Sequence, residues 1–489
     1  MSFASLSEFL AELQDRGELV RIAAPVDSAL ELAAITNRIA RSWPGGGPAI
    51  LFESVKNSTI PVLTNLLGSR RRLCHSLGVD DLNEVSANLD RRLQLEQPNG
   101  WLDSLKLVPG WGGLGKWTPK SVKTAACQQV VRLGRDVNLW DLPVPRSWPD
   151  ELDPVITSGQ IVVRNPMTGA SLFCQSPLVV VNQTEVAWYD DKIEQTALVK
   201  QAQHSGQNVP VAISLGGDPV LTLSTVLADT IDARLFAGLL RGSALEVVRC
   251  RTNELDVPAG AEIVIEGYID SANSTTVEPA TIARGNGRYV TRVLPLIQVT
   301  AITQRANPVF PAMITAMPPS EESWISLAAV RMQLPIVKRL LPETVDIHQP
   351  FCGAGRNLLF VSIHKTSEYQ ARRVLHALWG MPSLGRMKII VIVDADQNVQ
   401  REEQVWFTVG THACPSRDFI FSDGLARDDD YTPLSNSLAS RVGIDATRKQ
   451  NNERSHPWPQ SMTTSDDIAS RVDARWTEFG LEERSKREI

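Results

Sequence analysis

This sequence predicts a mixed α+β fold in three parts, and three observations carry that expectation. The chain has 489 residues, more than one ordinary domain holds. Helical and strand periods alternate near both ends. Between about residues 127 and 310, short apolar strand runs dominate and helical runs are few, which marks a barrel or a sandwich.

The chain opens on an amphipathic helix. Leu6, Phe9, Leu10 and Leu13 share one face, Ser5 and Glu8 have capping-box spacing, and Gly17 serves as a C-cap. "GELVRI" follows as a strand. A helix over about 28–42 stops at "WPGGGP", "AILFESV" is a strand, and "PVLTNLLGSRRRLCHSLG" is a strand running into a helix. These form an N-terminal α/β unit, taken as residues 1–110. Residues 100–126 are a connector rich in Trp, Gly and Pro. Its "GWGGLGKW" has the glycine and lysine spacing of a phosphate-binding loop. Trp117 stands where Ser or Thr must hold the metal, however, and "TPK" follows where a helix must start, so the stretch reads as a linker.

In the middle part, taken as 111–315, "ITSGQIVVRNPMTGASLFCQSPLVVVNQTEVAWY" reads as three strands joined by turns. "PVAISLGG", "ALEVVRCRT", "AEIVIEGYID" and "VLPLIQVTAITQRAN" add more. Helices fit only 193–206 and part of 219–241. "VEPATIARGNGRYV" reads as a Gly-rich loop with one acid, Glu278, and with Arg284 before its first glycine. In the last part, taken as 316–489, helices at 320–332 and 366–379 alternate with the strands "NLLFVSIH" and "KIIVIVDAD". Residues 446–489 form a polar, charged arm.

Totals narrow the function classes. Hydrophobic content of 43 % and charged content of 21 % are those of a soluble globular protein. A net charge of −6 does not favour nucleic acid. No apolar run reaches membrane-spanning length, and the N-terminus has neither a signal nor a transit pattern. The six cysteines include no C-x-x-C pair, so a reduced, cytoplasmic chain without structural zinc is expected. The seven histidines make no metal-binding pair motif. Asp394 and Asp396 stand at a strand end, where ligands often bind, but D-x-D there more often caps a turn. No nucleophile-elbow, catalytic-cysteine or dinucleotide fingerprint is present. Residue patterns alone stop at a three-part α/β and β protein.

Segments spread over almost the whole length resemble the UbiD family of decarboxylases. They include "FLAELQDRGELVRI", "GGGPAILFESV", "PVLTNLLGSRRRL", "PVAISLGGDPVLTLSTVLADT", "FAGLLRGSALEVVRCRTNELDVPAGAEIVIEGYID", "QRANPVF", "KIIVIVDADQNV" and "SRVGIDATRK". The resemblance implies an N-terminal α/β domain, a split β-barrel that holds a flavin, and a C-terminal α/β domain used in oligomerisation. It implies removal of carboxylate from an aromatic or α,β-unsaturated acid through prenylated FMN (or FMN), with a divalent metal, Mn or Mg, bridging the flavin phosphate. The implied partners are a small-molecule carboxylic acid, a flavin prenyltransferase as cofactor supplier, and further copies in a dimer or hexamer, or an active homologue in a mixed assembly.

Site residues transfer incompletely. The family strand that supplies a metal Asn and a catalytic Arg reads "SLFCQS" here, placing Ser171 and Ser176 at those positions. The metal histidine position falls near Glu194. The metal glutamate position is Ala233, with Asp232 beside it. In the acid loop Glu278 takes the first carboxylate's place and Arg284 the second's. A family lysine that meets the flavin phosphate matches Arg441, which keeps the charge. The expected set is therefore Glu278 and Arg284 for catalysis, Arg441, Ser171 and Ser176 for the cofactor, and Glu194 and Asp232 for a metal. The alternative is a catalytically degenerate subunit or a ligand-binding protein on the same scaffold.

Overall fold

The computed structural model describes residues 3, 5–93, 114–165, 169, 171–189, 206, 208–225, 232–269, 280–353, 357–426, 430–435, 438–454, 456–460, 462 and 464–479. The first helix, Leu6–Asp15, starts where Ser5 Oγ accepts the Glu8 N–H at 3.3 Å. Its apolar face (Leu6, Phe9, Leu10, Leu13) packs on Leu19, Ala49, Leu51 and Leu63 of a four-stranded sheet. That sheet runs Leu19–Ile22, Ala49–Phe52, Val62–Thr64, Phe310–Ala312. Its last strand comes from far along the chain, so residues just before 315 belong to the N-terminal layer. The second helix begins at Glu31 instead of 28, because Asp27 first turns the chain by accepting the Ala29 N–H at 2.9 Å.

The centre is one curled nine-stranded sheet. Its path is Val155–Ile156, Leu178–Val180, Glu185–Trp188, Leu296–Gln304, Ile263–Ile269, Val209–Leu215, Gln160–Arg164, Ser171–Gln175, with Val130–Leu133 also on Leu296–Gln304. Ser171–Gln175 ends one side of that path, yet only Ser176 and Pro177 separate it from Leu178–Val180 near the other side. A two-residue link cannot cross a flat sheet of this width. The sheet therefore curls into a half-barrel, with Ser176 at the closing corner. Strand alternation supplies both faces. Ile161, Val163, Cys174, Val211, Ile213, Ile263 and Ile265 fill the inside, while Val162, Phe173, Ala212 and Val264 meet the helices outside.

The outer helices are Pro219–Ser224, Ala233–Arg241 and the long Glu321–Leu340. The last outruns the expected end at 332 and passes through Pro335. Leu334, Val337 and Leu341, buried against the C-terminal core, carry it past that breaker. A five-stranded sheet closes the fold, in the order Thr344–His348, Leu358–Ile363, Ile389–Asp394, Leu438–Asp445, Phe419–Leu425. Its three inner strands are parallel and its two edges antiparallel. Among the described residues no helix is long and apolar enough to cross a membrane. The fold class is the expected one: an N-terminal layer, a central half-barrel and a C-terminal α/β layer.

Candidate functional site

At the closing corner of the half-barrel, Ser176 is 2 % exposed and its hydroxyl donates to the Tyr189 carbonyl. Tyr189 N–H donates back to the Pro177 carbonyl at 3.1 Å. The Tyr189 side chain is fully buried among Val155, Val179, Ala187, Ala280, Ile282 and Leu294.

The stretch expected to be a loop is in part a β-hairpin, and it lands on this corner. Ala280–Arg284 pairs with Arg288–Arg292 in antiparallel register, Arg284 opposite Arg288. A three-residue connection closes it, with Gly287 at φ +82°, a conformation side chains other than glycine's resist. Asn286 Oδ1 accepts the Arg288 N–H at 3.2 Å. Alternation puts Arg284 and Arg292 on one face. The Arg284 guanidinium carbon lies 4.9 Å from the Tyr189 ring centre and that of Arg292 lies 5.6 Å from it. Two cations thus bracket one buried aromatic ring. One residue before Arg284 the hairpin is pinned by Glu151, which is 3 % exposed and accepts from Ser147 N (2.8 Å), Trp148 N (3.1 Å) and Ala283 N (3.2 Å). Burial raises the Glu151 pKa against those bonds.

Beside the corner is a narrow cleft, open to solvent. All three parts of the chain line it. Leu63 and Leu67 come from the first, Ser158, Gln175 and Asp218 from the second, and Glu321 and Ile325 from the third. Gln175 directly precedes Ser176, so cleft and corner share one strand end. Its side chain spans Thr157 O (3.3 Å) and Thr225 Oγ1 (3.5 Å). Two acids line the cleft. Asp218 accepts the Val220 N–H at 2.9 Å and faces Arg241 Nε at 3.0 Å; burial raises its pKa and Arg241 opposes the rise. Glu321 accepts the Leu67 N–H at 2.7 Å, and burial pushes its carboxyl up to about 7 against the amides of 65–67 and the charge of Arg72.

The other expected residues lie as follows. Ser171 is half-buried at the start of the strand, opposite Arg164. Asp232 caps the helix Ala233–Arg241, accepting from Arg234 N (2.8 Å), Nε (3.1 Å) and Nη2 (2.7 Å). Burial pushes its carboxyl up, but Arg234 holds it below the usual range. Neutralised in this way, it does not fit a divalent-cation ligand. Arg441 stacks on Trp379 at 5.0 Å and donates to Gly385 O (2.5 Å) and Asp423 O (2.7 Å), bonds internal to the C-terminal sheet layer. Glu278 and Glu194, and the expected helix 193–206, lie outside the described residues. Asp394 accepts from Arg448 N at 2.8 Å and Asp396 pairs with the Arg448 side chain, so both carboxylates tie the strand end to the segment after Asp445 instead of capping their own turn. The structure thus brings Ser176 and Arg284 together and leaves Asp232 and Arg441 elsewhere. Sequence reasoning missed Tyr189, Arg292, Glu151, Asp218 and Glu321. The G-N-G turn between alternating residues was the available signal for Arg292, since a hairpin there sets it on the face of Arg284.

Three family profiles match the chain in order. The N-terminal, Rift-related and C-terminal domains of 3-octaprenyl-4-hydroxybenzoate carboxy-lyase cover residues 10–91, 120–318 and 323–446. The chain belongs to the UbiD family. An uncharacterized protein of Aquifex aeolicus is 35% identical over 486 residues, covering 98% of this chain and 99% of that one. Among solved UbiD-class structures, the evolved dimeric form of HmfF from Pelotomaculum thermopropionicum, in complex with prFMN, is 24% identical. It covers 96% of this chain and 98% of its own, with a TM-score of 0.75. The closed form of Sedimentibacter hydroxybenzoicus vanillic acid decarboxylase is 22% identical, covers 98% and 99%, and has a TM-score of 0.84. Both share the UbiD fold with this chain.

Proposed function

We propose that this UbiD-family protein is a decarboxylase of an aromatic or α,β-unsaturated carboxylic acid, working through prenylated FMN, with its substrate-facing cation moved to the hairpin. One observation carries the reading. Ser176, which stands where the family arginine is expected, and Arg284, from the opposite side, meet at the same residue, Tyr189. The prenylated flavin, when bound, supplies the electron sink for the carbanion that loss of CO₂ leaves. The cleft lined by Ser158, Gln175 and Thr222 offers polar groups on the strand end where the family places its flavin. Arg284 orients the substrate carboxylate by paired N–H donors, a geometry that serine cannot provide. Arg292 adds a second positive charge, and Glu278, six residues before Arg284, exchanges the proton that replaces CO₂. Asp232 is engaged by Arg234, so no metal role is assigned to it.

With this go a cytoplasmic location, a flavin prenyltransferase as supplier, a homo-oligomer, and parts at 1–110, 111–315 and 316–489. A second reading, a degenerate subunit pairing with an active homologue, draws on that same arginine-neutralised Asp232. The test is CO₂ release from a panel of aromatic and α,β-unsaturated acids, after co-expression with the prenyltransferase. The parent should release CO₂, and Arg284→Ala or Glu278→Gln should abolish it. Release from no acid in the panel, or full activity in Arg284→Ala, would sink the proposal.

A further inference from the structure

The hairpin that carries Arg284 is held at two places of different character. One residue before Arg284 the grip is Glu151, buried, whose carboxylate accepts from Ala283 N of the hairpin and from Ser147 N and Trp148 N beside it. At its tip the grip comes from the C-terminal part of the chain. Tyr431 Oη donates to the Asn286 carbonyl at 3.2 Å, and the Arg288 guanidinium lies over the Tyr431 ring at 5.6 Å. Tyr431 is itself set by its neighbours. Asp430 pairs with Lys388 at 2.7 Å, and the same lysine donates to Thr432 at 2.7 Å. The tip also meets the segment entering the long helix. A Cβ on Gly285 would come within 2.8 Å of Glu322 Oε2, and one on Gly287 within 2.5 Å of Met317 Cγ. At Gly287 the φ of +82° also favours glycine.

We infer that Tyr431 is a positioning residue, a latch from the C-terminal part that sets the hairpin tip and through it the Arg284 guanidinium over Tyr189. The hairpin backbone is short and paired, so movement at Asn286 is passed within two residues to Arg284. Gly287 N–H to Arg284 O at 2.9 Å closes that path. Ala283 is held by a buried carboxylate, while the turn after Arg284 meets Tyr431, 53% exposed, through a neutral hydrogen bond and a stacked cation. The inference rests on Arg284 being a site residue, but its first readout does not.

Hydrogen exchange of the full-length protein tests it, read on peptides covering 280–292, with Tyr431→Ala and Tyr431→Phe. Tyr431→Ala should speed exchange at the tip by roughly fivefold to tenfold, the worth of one hydrogen bond and one stacked cation. Tyr431→Phe keeps the ring under Arg288 and should restore about half of the protection on a logarithmic scale. FMN titration by fluorescence should show equal binding in all three proteins, because Arg284 is assigned to the substrate carboxylate and not to the flavin. Tip exchange within twofold of the parent in Tyr431→Ala would overturn the latch, as would a rise spread evenly over the barrel peptides. If FMN binds no variant while tip exchange changes as expected, the flavin assignment falls and the latch stands.

Discussion

Replacing Glu321 with Gln tests the electrostatics of the cleft quantitatively. Glu321 is 8 % exposed, and burial holds its carboxyl at about 7 against an ordinary 4.5. A shift of that size corresponds to roughly 3 kcal/mol, at about 1.4 kcal/mol per pH unit. The folded pKa is the higher one, so the folded protein binds this proton more tightly than the unfolded chain does. Glu321's contribution is therefore complete below about pH 4.5 and is lost as pH rises through about 7. Between pH 5.5 and 8 the loss comes to about 2 kcal/mol. Gln keeps the shape and one acceptor oxygen for the Leu67 amide but cannot ionise. Unfolding entropy of about 2.1 cal/mol/K per residue makes 1 kcal/mol worth roughly 1 °C for a chain of this length. Thermal melts of parent and Glu321→Gln at pH 5.5 and pH 8 give the comparison. The variant's Tm, relative to the parent's, should rise by about 2 °C from the lower pH to the higher. A flat difference would mean that Glu321 ionises normally, and the desolvation argument would fail.

Two further substitutions probe the supports around the site. Arg72 has no exposed side-chain surface and binds Glu18 (2.9 Å), Leu66 O (2.9 Å) and Asn65 O (3.0 Å). Arg72→Met should cost about 3–5 kcal/mol by leaving a carboxylate and two carbonyls without their donor, seen as a Tm lowered by several degrees; an unchanged Tm would show the network to be dispensable. Ser176→Ala removes the donor to the Tyr189 carbonyl and should cost about 1–2 kcal/mol while sparing decarboxylation, since serine holds the corner and does not face the carboxylate. Loss of activity at unchanged Tm would instead give Ser176 a chemical role.

Much of the fold was legible because local rules agree with the tertiary structure. Ser5, Leu6, Phe9, Leu10 and Leu13 specify the first helix by cap and period, and the structure buries that face. The alternating runs around residues 160–215 specify strands whose two faces both find cover. Other features depend on partners that no local pattern names. Glu321–Leu340 continues through Pro335 because the C-terminal core receives its far end. Phe310–Ala312 joins the N-terminal sheet across more than two hundred residues of chain. At the site, Arg284 could be named by position in the resemblance, but its setting could not. Tyr189 ends a strand in sequence and becomes the platform for Ser176, Arg284 and Arg292 only when the sheet curls. Arg441 and Asp232 show the converse. Each carries the right charge in the sequence, and each has been taken by neighbours that only the fold supplies.

The half-barrel of this UbiD-family chain is proposed to hold a prenylated flavin in the cleft beside the Tyr189 corner. The most direct measurement is the absorbance spectrum and native mass of the protein purified after co-expression with a flavin prenyltransferase. About one prenylated flavin per chain is expected, retained in Arg284→Ala, which should lose CO₂ release and keep its Tm. A colourless protein whose native mass equals that of the bare chain or its oligomer would contradict the proposal.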